Sequence, residues 1–217
     1  RVAILLRFQE ANPNAANALL KTLEEAPPYV VLILTADNPE QLLPTIVSRC
    51  EGLRLRAQPV ESVQTFLQTR GATGQNARFL AHLSGGRPGY ALRLMEDTQL
   101  LEQRTTWLDE MHGLLSFSRS QRFAYAEKLS KDKDATRQVL ELWGSYWRDV
   151  MLFSSGSGID LINIDRQQEI ERLGKTIDLP LARRLVVDIE KGIERLEKNV
   201  NARLLLEVLL LDWPYLN

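Results

Sequence analysis

The residue best placed to do chemistry is Arg49, in the run Leu42-Leu43-Pro44-Thr45-Ile46-Val47-Ser48-Arg49-Cys50. A guanidinium is always charged and forks onto phosphate oxygens, so a presented arginine can stabilise charge developing on a transferred phosphoryl group. The ordinary alternative is an arginine near a helix C-terminus, where the backbone dipole mildly favours a cation. Ser48 and Cys50 read as packing or capping residues. Cys50 has no histidine close in sequence to activate it as a nucleophile. His82 and His112 stand 30 residues apart without acidic or cysteine companions at metal-ligand spacing, which points to structural roles. Trp107, Trp143, Trp147 and Trp213 lack interleaved basic residues and read as core anchors, not a base-stacking platform. Arg183, Arg184, Lys191, Arg195 and Lys198 are interleaved with Asp188, Glu190, Glu194 and Glu197, the pattern of a solvated helix face.

Other chemistries are excluded by what the chain lacks. It carries no glycine-rich G-x-x-x-x-G-K-[ST] loop, so it has no set of backbone donors and lysine to cradle a nucleotide's phosphates. The 27 basic residues balance 28 acidic ones for a net charge of -1, so nothing draws the whole chain to nucleic acid or an anionic membrane. A single cysteine rules out an internal disulfide or a multi-cysteine zinc site and fits the cytoplasm. The longest apolar stretch, Leu204 to Leu211, is broken by Glu207 and falls well short of the roughly 20 residues a membrane helix needs. Arg1 leads at once into apolar Val2 to Leu6 with no signal-like cleavage pattern, which reads as a piece cut from a longer protein.

The elements that must position Arg49 follow from the hydrophobic pattern. Val2 to Leu6 and the β-branched run Tyr29 to Thr35 read as buried parallel strands. Between them, Asn12-Pro13-Asn14 caps a helix over Ala15 to Glu25, with Ala16, Leu19, Leu20 and Leu23 on one face and Pro27-Pro28 as its stop. Strand, helix and strand make a βαβ unit. Short helical pieces follow to Cys50, and Gly52 to Leu55 is a candidate edge strand. Three short helices are expected over Val60 to Thr69, Gln75 to Ser84 and from Tyr90 onward, punctuated by Gly71, Gly74 and Gly85-Gly86-Arg87-Pro88-Gly89. Beyond Asp97 the spacing is helical throughout: Leu101 to Leu115, Ser120 to Leu129, Ala135 to Phe153, Asp165 to Ile177, Pro180 to Lys198 and Asn201 to Leu211. Trp143 and Trp147, four apart, share a face. The last helix is apolar on nearly every side and is expected in the middle of a bundle.

With these residues in place a family resemblance emerges. Ala15-Ala16-Asn17-Ala18-Leu19-Leu20-Lys21-Thr22-Leu23-Glu24-Glu25, the strand Val30 to Thr35, and Leu42 to Cys50 closely resemble the AAA+ subunits of bacterial DNA polymerase III clamp loaders. Gly85 to Leu92 and Asn199 to Leu210 are similar to the delta-prime branch of that family. The resemblance implies a mostly α chain: a truncated α/β AAA+ remnant (1–57), a small helical lid (58–97) and a helical collar bundle (98–217) through which five subunits form a ring. It also implies that Arg49, supported by Ser48 and Cys50, reaches toward ATP bound by a neighbouring subunit.

The departures from the family pattern carry equal weight. Leu6 and Arg7 stand where active members place the acidic pair that orders magnesium. Glu10 is displaced along the loop and reads as a solvated carboxylate. Ala36 replaces the polar sensor, with Thr35 one residue off, and Gly89 replaces the second sensor arginine, with Arg87 two residues earlier. The expected protein is therefore a non-hydrolysing stator subunit with no cofactor and no metal of its own. Its expected partners are gamma/tau and delta subunits, with sliding clamp and primed DNA reached through the complex. The alternatives are an active gamma/tau-type ATPase and a helical scaffold without an ATPase role.

Overall fold

Val2–Leu5 (β1) and Val31–Leu34 (β2) lie side by side as a parallel pair, with Val2 opposite Val31 and Ile4 opposite Ile33. Pro13–Glu24 (α1) connects them. Asn12 caps α1 through its side-chain oxygen, which accepts from the Ala15 amide at 2.8 Å, and Pro13 fits the first helical position because its missing N–H is not needed there. This is the expected βαβ order. The computed structural model describes residues 1–25, 27–198 and 200–216. It divides into two units, Arg1–Arg56 and Ala57–Asn217.

In the first unit the strands are not buried on both sides as their apolar sequence suggested. Strand side chains alternate between faces, so Val2, Ile4, Val31 and Ile33 share one face of the pair, and all four are exposed. A fully apolar strand is expected to be covered on both faces, but here one face has no cover within the unit. Gly52 to Leu55 forms no strand among the described residues. Leu53 and Leu55 are almost fully exposed, so the segment has neither a ladder nor a packing surface to hold it extended in a sheet.

The second unit is helical. Val60–Thr69 (α3), Gly74–Leu83 (α4) and Pro88–Glu96 (α5) surround a small apolar cluster that includes Val63, Leu67, Leu80 and Leu94. Gly86 has φ +79° at the α4–α5 turn and its carbonyl accepts from the Gln58 amide at 2.8 Å; only a residue without Cβ permits that approach. Thr98–Ser116 (α6), Arg119–Leu129 (α7), Lys133–Ser154 (α8), Gln167–Thr176 (α9), Leu179–Glu197 (α10) and Ala202–Leu211 (α11) enclose a larger core. As expected, Trp143 and Trp147 are both fully buried, and each meets the ring of Trp213 edge-on. The α11 helix departs from expectation. Leu205, Leu206, Leu209 and Leu210 are buried, but Leu204, Val208 and Leu211 are exposed, which puts the helix at the margin of the bundle. The part of the resemblance that rests on Asn199 lies outside the described residues.

No helix among the described residues is long and apolar enough to cross a membrane.

Candidate functional site around Arg49

The chain leaves β2 and makes a short 3-10 turn at Pro39–Gln41, capped by Asn38, before Pro44–Val47 (α2). Ile46, 1% exposed, anchors α2, and α1 packs against it. The following residues, Ser48, Arg49 and Cys50, are all on the surface. Ile46, buried two residues ahead of this surface tripeptide, fixes the backbone from which the arginine side chain starts.

The guanidinium is not extended into solvent. Its Nε donates to Glu24 Oε1 at 2.5 Å, and Nη2 lies 2.5 Å from the same oxygen. Nη1 donates to the Thr45 carbonyl at 3.0 Å and to Ser48 Oγ at 3.3 Å. The Arg49 and Glu24 side chains remain 35% and 49% exposed, so water screens the pair. Arg49 thus also fills the ordinary role of a cation at a helix C-terminus, here α2. Ser48 is the C-cap of α2, and its hydroxyl donates to the Thr45 carbonyl at 3.2 Å, a capping role as expected. Cys50 is exposed and therefore is not a packing residue.

The other positions singled out in the first unit are occupied by structural contacts. Arg7 adopts a left-handed backbone (φ 53°), its side chain pairs with Glu10 at 2.5 Å, and its amide donates to Thr35 Oγ1 at 2.9 Å. A cation and an engaged hydroxyl therefore stand at the end of β1 next to the exposed Leu6. Among the described residues no group of three His, Cys, Asp or Glu side chains is placed to hold a metal ion. In the second unit, exposed Arg87 is the N-cap residue of α5, donates to the Ser84 carbonyl at 2.9 Å and stacks over the Tyr90 ring, as a turn residue would.

Buried polar residues that sequence reasoning missed organise the bundle. Arg104 makes a forked pair with Asp165 (2.6 and 3.0 Å) and donates to Asn163 Oδ1 at 2.6 Å. Asp149, wholly buried, accepts from the Asn163 amide (2.7 Å), Asn163 Nδ2 (2.8 Å) and the Ile162 amide (3.2 Å). Burial pushes its carboxyl above the usual aspartate range, and the Asn163 and Ile162 donors oppose that shift. His82 Nδ1 lies 2.9 Å from the Leu161 carbonyl, so the same loop is also held against α4. A signal for Arg104 existed: it continues the apolar face Leu101, Leu108, Met111, Leu115 at helical spacing. His112 does have an acidic neighbour, since folding brings Glu169 Oε2 to 2.8 Å from its Nε2, although the two are not aligned for a hydrogen bond.

Comparison with known proteins gives the family. Residues 1–59 match the family model described as DNA polymerase III, delta subunit, and residues 98–214 match the one described as DNA polymerase III, delta subunit, C terminal. The second match covers more than half of the chain, which belongs to the DNA polymerase III delta-subunit family. The chain is 31% identical over 228 residues to DNA polymerase III subunit delta' of Pseudomonas aeruginosa, covering 100% of this chain and 66% of that protein. It is 25% identical over 215 residues to subunit delta' of Bacillus subtilis, covering 97% and 65%. A 55-residue stretch, 25% of this chain and 9% of the relative, is 46% identical to DNA polymerase III subunit tau of Escherichia coli. The chain spans about two thirds of the length of the delta' relatives.

Proposed function

We propose that this chain serves as a non-hydrolysing stator in a DNA polymerase III clamp loader and that Arg49 acts in trans on ATP held by a neighbouring gamma or tau subunit. The observation that carries this reading is a contrast within one small unit: an exposed arginine follows α2, while Leu6 and the salt-bridged Arg7 occupy the end of β1. Magnesium needs clustered oxygen ligands, and a cation at that place repels it. A surface guanidinium, by contrast, needs only a neighbour's phosphate. Arginine fingers are generally worth about 10³ to 10⁵ in rate. In this reading Ser48 and Cys50 support the motif, residues 58–97 form the lid, residues 98–217 form the collar that seats the subunit, and clamp and primed DNA are met through the assembled loader in the cytoplasm. The delta' names of the relatives support membership in the complex.

The test is a loader reconstituted with the full-length parent carrying Arg49→Ala. Clamp-stimulated ATP hydrolysis is expected to fall at least tenfold, and an unchanged rate would sink the assignment. The 46% identity with tau over 55 residues favours one other reading, an active gamma/tau-type ATPase. Hydrolysis of ATP by the isolated full-length parent would decide for it.

A further inference from the structure

We propose that Glu24 is a positioning residue that keeps Arg49 latched to its own subunit until a phosphate displaces it. This rests on the reading of Arg49 as acting in trans. Two guanidinium nitrogens converge on one Glu24 oxygen, both at 2.5 Å, and the third nitrogen is held by Thr45 and Ser48. Reaching a phosphate outside the subunit therefore means exchanging one anionic partner for another, because the same Nε and Nη2 edge that grips a carboxylate is the edge that forks onto phosphate.

The placement of Glu24 strengthens the argument. It is the last residue of α1, where the helix dipole disfavours a carboxylate, and the Arg49 cation offsets that penalty. The pair joins the ends of two different helices, 25 residues apart in sequence, so it sets where the arginine head rests and not merely how one helix is decorated. Both partners are partly exposed, which makes the latch weak and reversible: it biases the arginine without trapping it. A phosphate brings more negative charge than the carboxylate, and assembly would bring it within reach at high local concentration.

The experiment uses the reconstituted loader with the full-length parent carrying Glu24→Gln, Arg49→Ala or both, and reads kcat for ATP hydrolysis without clamp or DNA. Gln keeps the shape and an acceptor oxygen but removes the charge. Glu24→Gln is expected to raise kcat roughly two- to fivefold, the range set by an exposed ion pair. Arg49→Ala lowers it, and the double variant matches Arg49→Ala because a latch has no effect once the latched group is gone. A Glu24→Gln rate that is unchanged or lower, with Arg49→Ala still deficient, overturns the latch and leaves the trans reading standing. An unaffected Arg49→Ala loader overturns both.

Discussion

Arg122 Nη1 donates to the Leu210 carbonyl oxygen at 2.7 Å, across 88 residues of chain. The same guanidinium donates to the carbonyls of Leu114, Leu115, Trp213 and Pro214. One buried cation from α7 thus satisfies carbonyls near the C-terminal ends of α6 and α11, where helices leave acceptors unpaired and carry partial negative charge. Burial lowers its pKa from the usual arginine value.

Arg122→Ala is expected to cost about 3–5 kcal/mol, because several carbonyls would be stranded away from water and a void opened. Arg122→Lys is expected to recover only part of this, since a single ammonium cannot span carbonyls on two helices. Urea unfolding of the three proteins checks both statements.

Asp149→Ala is expected to cost about 3 kcal/mol, the scale for removing the acceptor from buried donors. The damage should be local first. Hydrogen exchange at the Ile162 and Asn163 amides, both of which donate to Asp149, should accelerate more than exchange in the middle of α8.

Acid should lower the stability of the helical bundle through His112, on α6. Burial, the main cause, lowers the His112 pKa below its ordinary 6.5; Glu169 and Asp109 oppose that shift, while Arg166 and Arg172 reinforce it. The unfolded chain therefore binds the proton more readily than the folded one, so this histidine's contribution is present above about pH 6.5 and is lost as pH falls. The melting temperature of the wild type should drop more between about pH 7.5 and about pH 5.5 than that of His112→Gln. Equal drops would remove His112 from the account.

Gly86→Ala is expected to destabilise the α4–α5 turn by roughly 2 kcal/mol, combining left-handed strain with a clash. A Cβ there would stand 2.5 Å from the Gln58 carbonyl oxygen. Gly52→Ala is the control, since its Cβ would meet nothing within 4 Å. Thermal unfolding of the two variants should separate them clearly.

Local rules made most helices legible in advance. Val60–Thr69 formed over the span expected from its pattern, and Asn12-Pro13 opened α1 because a cap and a proline act within one turn. Boundaries elsewhere moved by only one to three residues, as when α6 began at Thr98 behind the Asp97 cap and not at Leu101. The strands were harder. The apolar runs in Val2 to Leu6 and Tyr29 to Thr35 suggest burial, yet composition cannot say whether a second layer lies over each face. The misjudged position of α11 has the same cause.

The candidate site divides along a similar line. Arg49 could be singled out from its neighbours in the chain, because the motif around it is contiguous. Its engagement by Glu24 could not, since the chain offers many acids and only the packing of α1 on α2 selects one. Arg122 and Asp149 were invisible for that reason too: their partners lie up to 92 residues away, and a charged residue is read as exposed until something shows what neutralises it.

By itself, the sequence determined the helical periods, the caps, the tryptophan face and the chemical type of the group at position 49, all of which depend on residues within a few turns of one another. The tertiary structure alone decided which faces are covered, which carbonyls Arg122 satisfies and which carboxylate holds Arg49, because these depend on distances between segments remote in the chain.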